Sequence, residues 1–147
     1  MYKRQGVGLV NYHSEEGYAK NYAAKIAERY PNSNIYITGH SLGGYLAQIG
    51  ASEIILNYNK NNLKKVVYFN GIGLKYNKLI FWAKEEAMNS LVEYYNGSKS
   101  NPNLISYNIY GDVFSALGTH SGAVKGFEAT EKAINNHKGK YLSLIHI

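Results

Sequence analysis

The chain has 147 residues, 45% of them hydrophobic and 14% aromatic, enough to bury one sizeable core, and this excludes an intrinsically disordered chain. There is no cysteine, which excludes a disulfide framework, a thiolate metal site and a cysteine nucleophile, and no apolar run nears the ~20 residues of a membrane span. The formal charge of +6 has its densest group at Lys60, Lys64 and Lys65, with no glycine–aromatic nucleic-acid motif around it; a wealth of Asn, Lys, Tyr and Ile, residues with A/T-rich codons, accounts for the basic balance without a nucleic-acid partner.

In chain order, both ends carry a signal of their own. The tail Leu142-Ser143-Leu144-Ile145-His146-Ile147 can be written CTG-TCT-CTT-ATA-CAC-ATC, and the reverse complement of that string ends GTG-TAT-AAG-AGA-CAG. Read from GTG as a start codon, this is Met1-Tyr2-Lys3-Arg4-Gln5. One short DNA string, similar to a transposon end used as a sequencing adaptor, thus encodes both termini, so residues 1–5 and 142–147 are set aside from fold reasoning. The expectation is one truncated domain over residues 6–141, with both natural termini beyond it. Setting aside Lys3 and Arg4 lowers the net charge from +6 to +4 and removes His146 from consideration. The start of the chain then carries no targeting information, and the reading leans only slightly to the cytoplasm.

Gly6 to Ser14 reads as a loop or broken strand. Ser14 is placed as the cap of a helix with Glu15 and Glu16 in its first turn. Tyr18, Tyr22 and Ile26, with Ala19, Ala23 and Ala27 beside them, form a helical stripe running to Tyr30, and Pro31-Asn32-Ser33-Asn34 ends it. A short β-prone run, Ile35 to Thr38, then feeds Gly39-His40-Ser41-Leu42-Gly43, and a helix follows from Leu42 to about Asn57. Strand, tight turn and helix in that order are what a nucleophile elbow requires, with the serine at the apex and the helix N-terminus beside it. Gly39 and Gly43 are expected to be there because side chains would collide where strand and helix converge.

Val66 to Phe69 reads as a buried parallel strand, Leu79 to Tyr95 as a helix and Leu104 to Tyr110 as the last strand. Ser115 to Gly126 reads as a glycine-containing loop, and Glu128 to Asn135 as a short helix. Strands alternating with helices predict an α/β fold with a mostly parallel sheet flanked by helices, and no repeat or second domain interrupts it. Tyr76, Phe81, Trp82, Tyr94 and Tyr95 sit at helical spacing that favours core packing over an acyl-chain pocket.

A serine nucleophile needs a base to take its proton and an acid to orient that base. Asp112 is the sole aspartate and falls just past the carboxyl end of a predicted strand, where open parallel sheets place reactive groups. Its bland alternative is a turn-capping aspartate. Glu53, Glu85, Glu86 and Glu93 fall on helices and read as solvated faces. The base should follow the acid, leaving His120 and His137. His137 lies 25 residues past Asp112, with room to fold back over the elbow; His120 lies only 8 past it on the same loop, so His137 is favoured and His120 is the alternative base. His40 is directed away from the serine's exposed side by its neighbouring position, and His13, ahead of it, reads as structural. One oxyanion donor is the N–H of Leu42; the second should come from a loop after an earlier strand, and none is visible ahead of Ser14.

Through Gly39-His40-Ser41-Leu42-Gly43-Gly44 and Leu46-Ala47 the chain resembles the class 3 lipases, and more closely still the bacterial lipase-like α/β-hydrolases related to them. The resemblance continues through Tyr68 to Gly73, Gly111-Asp112-Val113, His120-Ser121-Gly122 and His137, and departs where the family's front strands are missing. It implies a partial α/β-hydrolase fold and a triad of Ser41, Asp112 and His137 acting on carboxylic esters, with no cofactor and no metal. A small-molecule or lipid ester is then the partner and nucleic acid is not. A thioesterase or acyltransferase with the same triad, and a non-catalytic binding module of hydrolase fold, are the alternatives.

Overall fold

The computed structural model describes residues 12–74, 85–95, 103–112 and 115–130. Four strands, β1 (Ile35–His40), β2 (Leu63–Phe69), β3 (Leu104–Ile109) and β4 (Ala123–Phe127), form one sheet in the order β1-β2-β3-β4 with every pair parallel. Among the described residues three α-helices accompany them, α1 (Tyr12–Arg29), α2 (Leu42–Asn57) and α3 (Glu85–Tyr94), with a 3-10 turn at Lys60–Asn62. This is the α/β arrangement expected, a parallel sheet flanked by helices. Among the described residues no helix is long and apolar enough to cross a membrane.

The sheet positions α2, and α2 positions the rest. Ile49, Ala51 and Ile54 on α2 are buried against Leu63, Val66 and Tyr68 of β2 and Leu104 of β3. Removing each large aliphatic side chain from water contributes about 1.5–3 kcal/mol. Helix α1 packs on the far side of α2, where Gly50 brings the two backbones close: a Cβ there would sit 3.4 Å from the Ala23 Cβ. Ala23 and Ala27 are buried, whereas Tyr18 and Tyr22 face solvent at 71% and 69% exposure.

Several sequence expectations shift at their edges. The helix is already under way at Tyr12, two residues before Ser14, so Ser14 is not its cap. Glu16, placed by sequence as a partner of the helix dipole, is instead buried and accepts a 2.5 Å hydrogen bond from the Tyr45 hydroxyl of α2. β4 was expected to be loop. Lys125 and Gly126 dilute its apolar pattern, and four of its five residues are exposed, yet it pairs with β3 from Ile105–Ala123 to Ile109–Phe127. The Tyr110 ring lies over Gly126, where a Cβ would come 2.4 Å from it, so a larger residue there would have to displace that exposed ring. Glu128 to Thr130 are not helical; the remainder of the helix predicted to Asn135 lies outside the described residues, as do Gly6 to Asn11, Leu79 to Lys84 and both adaptor-like ends.

Tyr95 is buried in the core, and Tyr94 stands edge-on to it at 4.8 Å while its hydroxyl donates to the backbone oxygens of Lys60 and Leu63. Both pack as core residues; Tyr76, Phe81 and Trp82 lie outside the described residues.

Candidate active site

Ser41 stands between the last residue of β1 and the first of α2, with φ 53° and ψ −119°. A non-glycine residue pays strain energy of order 1–3 kcal/mol to hold such a conformation, so the surroundings must impose it. They do so through the backbone. The Ser41 N–H donates to the Phe69 oxygen at 2.9 Å, and the Ser41 carbonyl accepts from the N–H groups of Gly44 and Tyr45 at 2.9 and 3.2 Å. The Ser41 side chain makes no capping bond to α2, although serine is among the preferred caps. A hydroxyl held at the apex and left off the helix end is free for other chemistry.

The glycines around it act differently from expectation. A Cβ on Gly39 would lie 2.0 Å from the Gly43 oxygen and 2.3 Å from the Gly43 carbonyl carbon, so strand and helix converge at Gly39. A Cβ on Gly43 itself would meet nothing within 4 Å, so no collision explains that glycine. The second crowded position is Gly44, whose Cβ would come within 2.9 Å of the Gly71 Cα and 3.1 Å of the Tyr68 Cβ. Gly44 and Gly71 therefore form one contact, which seats the first turn of α2 on the turn after β2.

Leu42 opens α2. Its N–H is among the first of the helix, which have no intrahelical acceptor, and it lies at the positive end of the helix dipole. The seat of this helix end is further fixed by Gln48, which is fully buried. Its amide nitrogen donates to the Gly44 and Ile72 oxygens at 3.2 and 3.0 Å, and its amide oxygen accepts from the Ser121 hydroxyl at 3.3 Å.

Asp112 follows β3 through the Tyr110-Gly111 turn and is 4% exposed. Its carboxylate accepts the Ser115 N–H at 3.1 Å, and the Ser115 hydroxyl donates back to the Asp112 carbonyl at 3.1 Å. Asp112 thus caps a turn, and it does so at the carboxyl end of the strand two places from the one that carries Ser41. By sheet geometry those two columns are about 10 Å apart. Between them stands Asn70, which sequence reading treated only as the end of a strand. It is buried with φ 46°, its N–H donates to the Tyr107 oxygen at 2.8 Å, and its side-chain oxygen accepts the Ile109 N–H at 2.8 Å. Asn70 ties the end of β2 to the end of β3 just below the aspartate turn. The pair Asn70-Gly71 was its signal, since asparagine tolerates left-handed backbone.

The histidines separate clearly. His40 is exposed and lines a groove of about 530 Å³ with Phe69, Tyr107 and Phe127 on the sheet face opposite α2. His13 lies within α1. His120 is half-buried, with Nε2 at 2.8 Å from the Ser115 carbonyl and Nδ1 at 3.2 Å from the Tyr68 hydroxyl. Both ring nitrogens are engaged, and burial lowers the imidazole's pKa against the raising effect of the Ser115 carbonyl. A base must present a free nitrogen to the serine, and His120 has none in this arrangement. His137, the favoured base, lies outside the described residues. Of the helical carboxylates, Glu86 and Glu93 are exposed and Glu53 accepts from Asn57 of its own helix at 2.8 Å.

Residues 9–71 match the family described as Lipase (class 3), a stretch that holds α1, β1, α2, β2 and the whole elbow and stops short of Asp112. A relative, Lipase ZK262.3 of Caenorhabditis elegans, is 39% identical over 69 residues, which cover 44% of this chain and 20% of that protein. The aligned part thus spans about a fifth of the relative's length.

Proposed function

We propose that this class 3 lipase-like chain is a serine hydrolase that cleaves carboxylic esters through an acyl-enzyme. Ser41 attacks the ester carbonyl, His137 takes the serine proton and later returns it to the leaving alcohol, and Asp112 orients His137. The N–H of Leu42 donates to the oxyanion that develops on the carbonyl oxygen. Water then attacks the acyl-enzyme carbonyl with His137 as base, releasing the acid and restoring Ser41.

The observation that carries this reading is the strained, uncapped Ser41 at the junction of β1 and α2. Strain of that kind at a buried backbone-locked position is found where a side chain must be presented to a reaction. Asp112 at the carboxyl end of β3 supports it, and so does the chain order of serine, aspartate and histidine in Ser41, Asp112 and His137.

The direct test is turnover of short-chain p-nitrophenyl esters by the protein and by Ser41→Ala. Turnover is expected to fall at least about 10⁴-fold in the variant. A Ser41→Ala protein that hydrolyses the esters as the unaltered protein does would contradict the proposal.

A further inference from the structure

We infer that His120 is a positioning residue for Asp112, acting through the Ser115 backbone. This rests on the reading of Asp112 as the acid that orients the base, and it gives the buried imidazole a task other than proton transfer.

The geometry is a closed chain of contacts. Tyr68, on the strand between those of Ser41 and Asp112, is fully buried, and its ring stacks on His120 at 5.8 Å and 22°. Burial pushes its phenol well above the ordinary range, so the hydroxyl stays protonated and can donate at 3.2 Å to His120 Nδ1. A ring that accepts at Nδ1 carries its hydrogen on Nε2, and Nε2–H donates to the Ser115 carbonyl at 2.8 Å. The Ser115 N–H donates in turn to the Asp112 carboxylate at 3.1 Å. One tautomer satisfies every link. The carboxylate is therefore referenced to β2 rather than left on a loop tip.

The middle of the same loop is fixed by a separate set of contacts. Gly118 has φ +82°, and a Cβ there would lie 2.6 Å from the Gly73 oxygen, so residues 118–119 press directly on the turn after β2. Gly73 donates its N–H to the Leu117 oxygen at 2.9 Å. These contacts anchor the middle of the loop, whereas at the Ser115 end, which meets the carboxylate, the imidazole adds to the Ser115 hydroxyl's bond to the Asp112 carbonyl and the Asp112 N–H bond to the Ile109 oxygen. Displacement of an orienting group by about 1 Å can cost 10²-fold in rate without altering substrate binding.

Two substitutions at one position separate the links. In His120→Gln the amide nitrogen stands the same number of bonds from Cβ as Nε2 and can still donate to Ser115. In His120→Asn the side chain can accept from Tyr68 and falls short of Ser115. With p-nitrophenyl esters, His120→Asn is expected to lose about 10- to 100-fold in kcat with KM little changed. His120→Gln is expected to stay within about 5-fold of the unaltered protein. Equal kcat in the two variants would overturn the inference, and so would a His120→Gln protein as inactive as Ser41→Ala, which would make the imidazole the base. Should either variant fail to fold, nitrogen-15 NMR of the unaltered protein at pH 8 decides: the neutral His120 ring should be the Nε2–H tautomer, and the Nδ1–H tautomer overturns the chain of contacts. If Ser41→Ala retains full turnover, the ester-hydrolase reading falls and the positioning role falls with it, while the tautomer measurement still reports whether the contacts exist.

Discussion

Replacing His137 by alanine is expected to lower ester turnover about 10⁴- to 10⁶-fold, and adding Ser41→Ala to it should cost almost nothing more. Nucleophile and base act as one unit, so once either is gone the other has no step to assist. Asp112→Asn belongs to the same cycle. It keeps the shape of the side chain and loses the charge that stabilises the imidazolium, so a fall of about 10⁴-fold is expected. The residual rate in each variant reflects binding and the oxyanion donor at Leu42. Steady-state kinetics on the three single variants and the double variant measure this. A His137→Ala protein within tenfold of normal turnover would remove His137 from the mechanism. If His120→Ala were then inactive, the base would be the other histidine.

The second large effect is steric. Gly39→Ala puts a methyl carbon 2.0 Å from the Gly43 oxygen, and every atom it meets is backbone. No side chain can swing aside, so β1 and α2 must separate, and the strained Ser41 conformation is lost with them. We expect turnover below detection and a loss of stability of about 1–3 kcal/mol or more. Gly43→Ala is the matched control. Its methyl group meets nothing within 4 Å, and alanine is the better helix former by about 1 kcal/mol, so the melting temperature should hold or rise. Equal melting temperatures for the two variants would contradict this account of the elbow.

The elbow was legible in the sequence because it is local: a strand, a tight turn and a helix adjacent along the chain, spelled by Ile35 to Ala47. What imposes it was only half legible. Gly44 meets Gly71 across 27 residues, and neither position announces the other. The orientation of α1 was hidden for a similar reason. Its tyrosine and alanine stripes lie side by side with the same period, and contacts with α2, among them Ala23 beside Gly50, bury the small one. Asp112 could be placed at a strand end from pattern alone, while Asn70, which ties that strand end to β2, carries no signal beyond a turn-prone dipeptide. β4 escaped because an edge strand with exposed residues and a glycine beneath an aromatic ring lacks the apolar alternation by which strands are read. His120 looked like a possible base from residue type and order. The two hydrogen bonds that occupy its ring come from β2 and from its own loop, which sequence cannot bring together.

Whether Ser41 is an activated nucleophile is read out by covalent labelling. The protein is treated with a fluorophosphonate, digested, and the modified peptide is located by mass spectrometry. A single phosphonate adduct is expected on Ser41, absent after heat denaturation and absent in Ser41→Ala. An adduct that maps elsewhere, or a folded protein that hydrolyses esters while Ser41 stays unmodified, would contradict it.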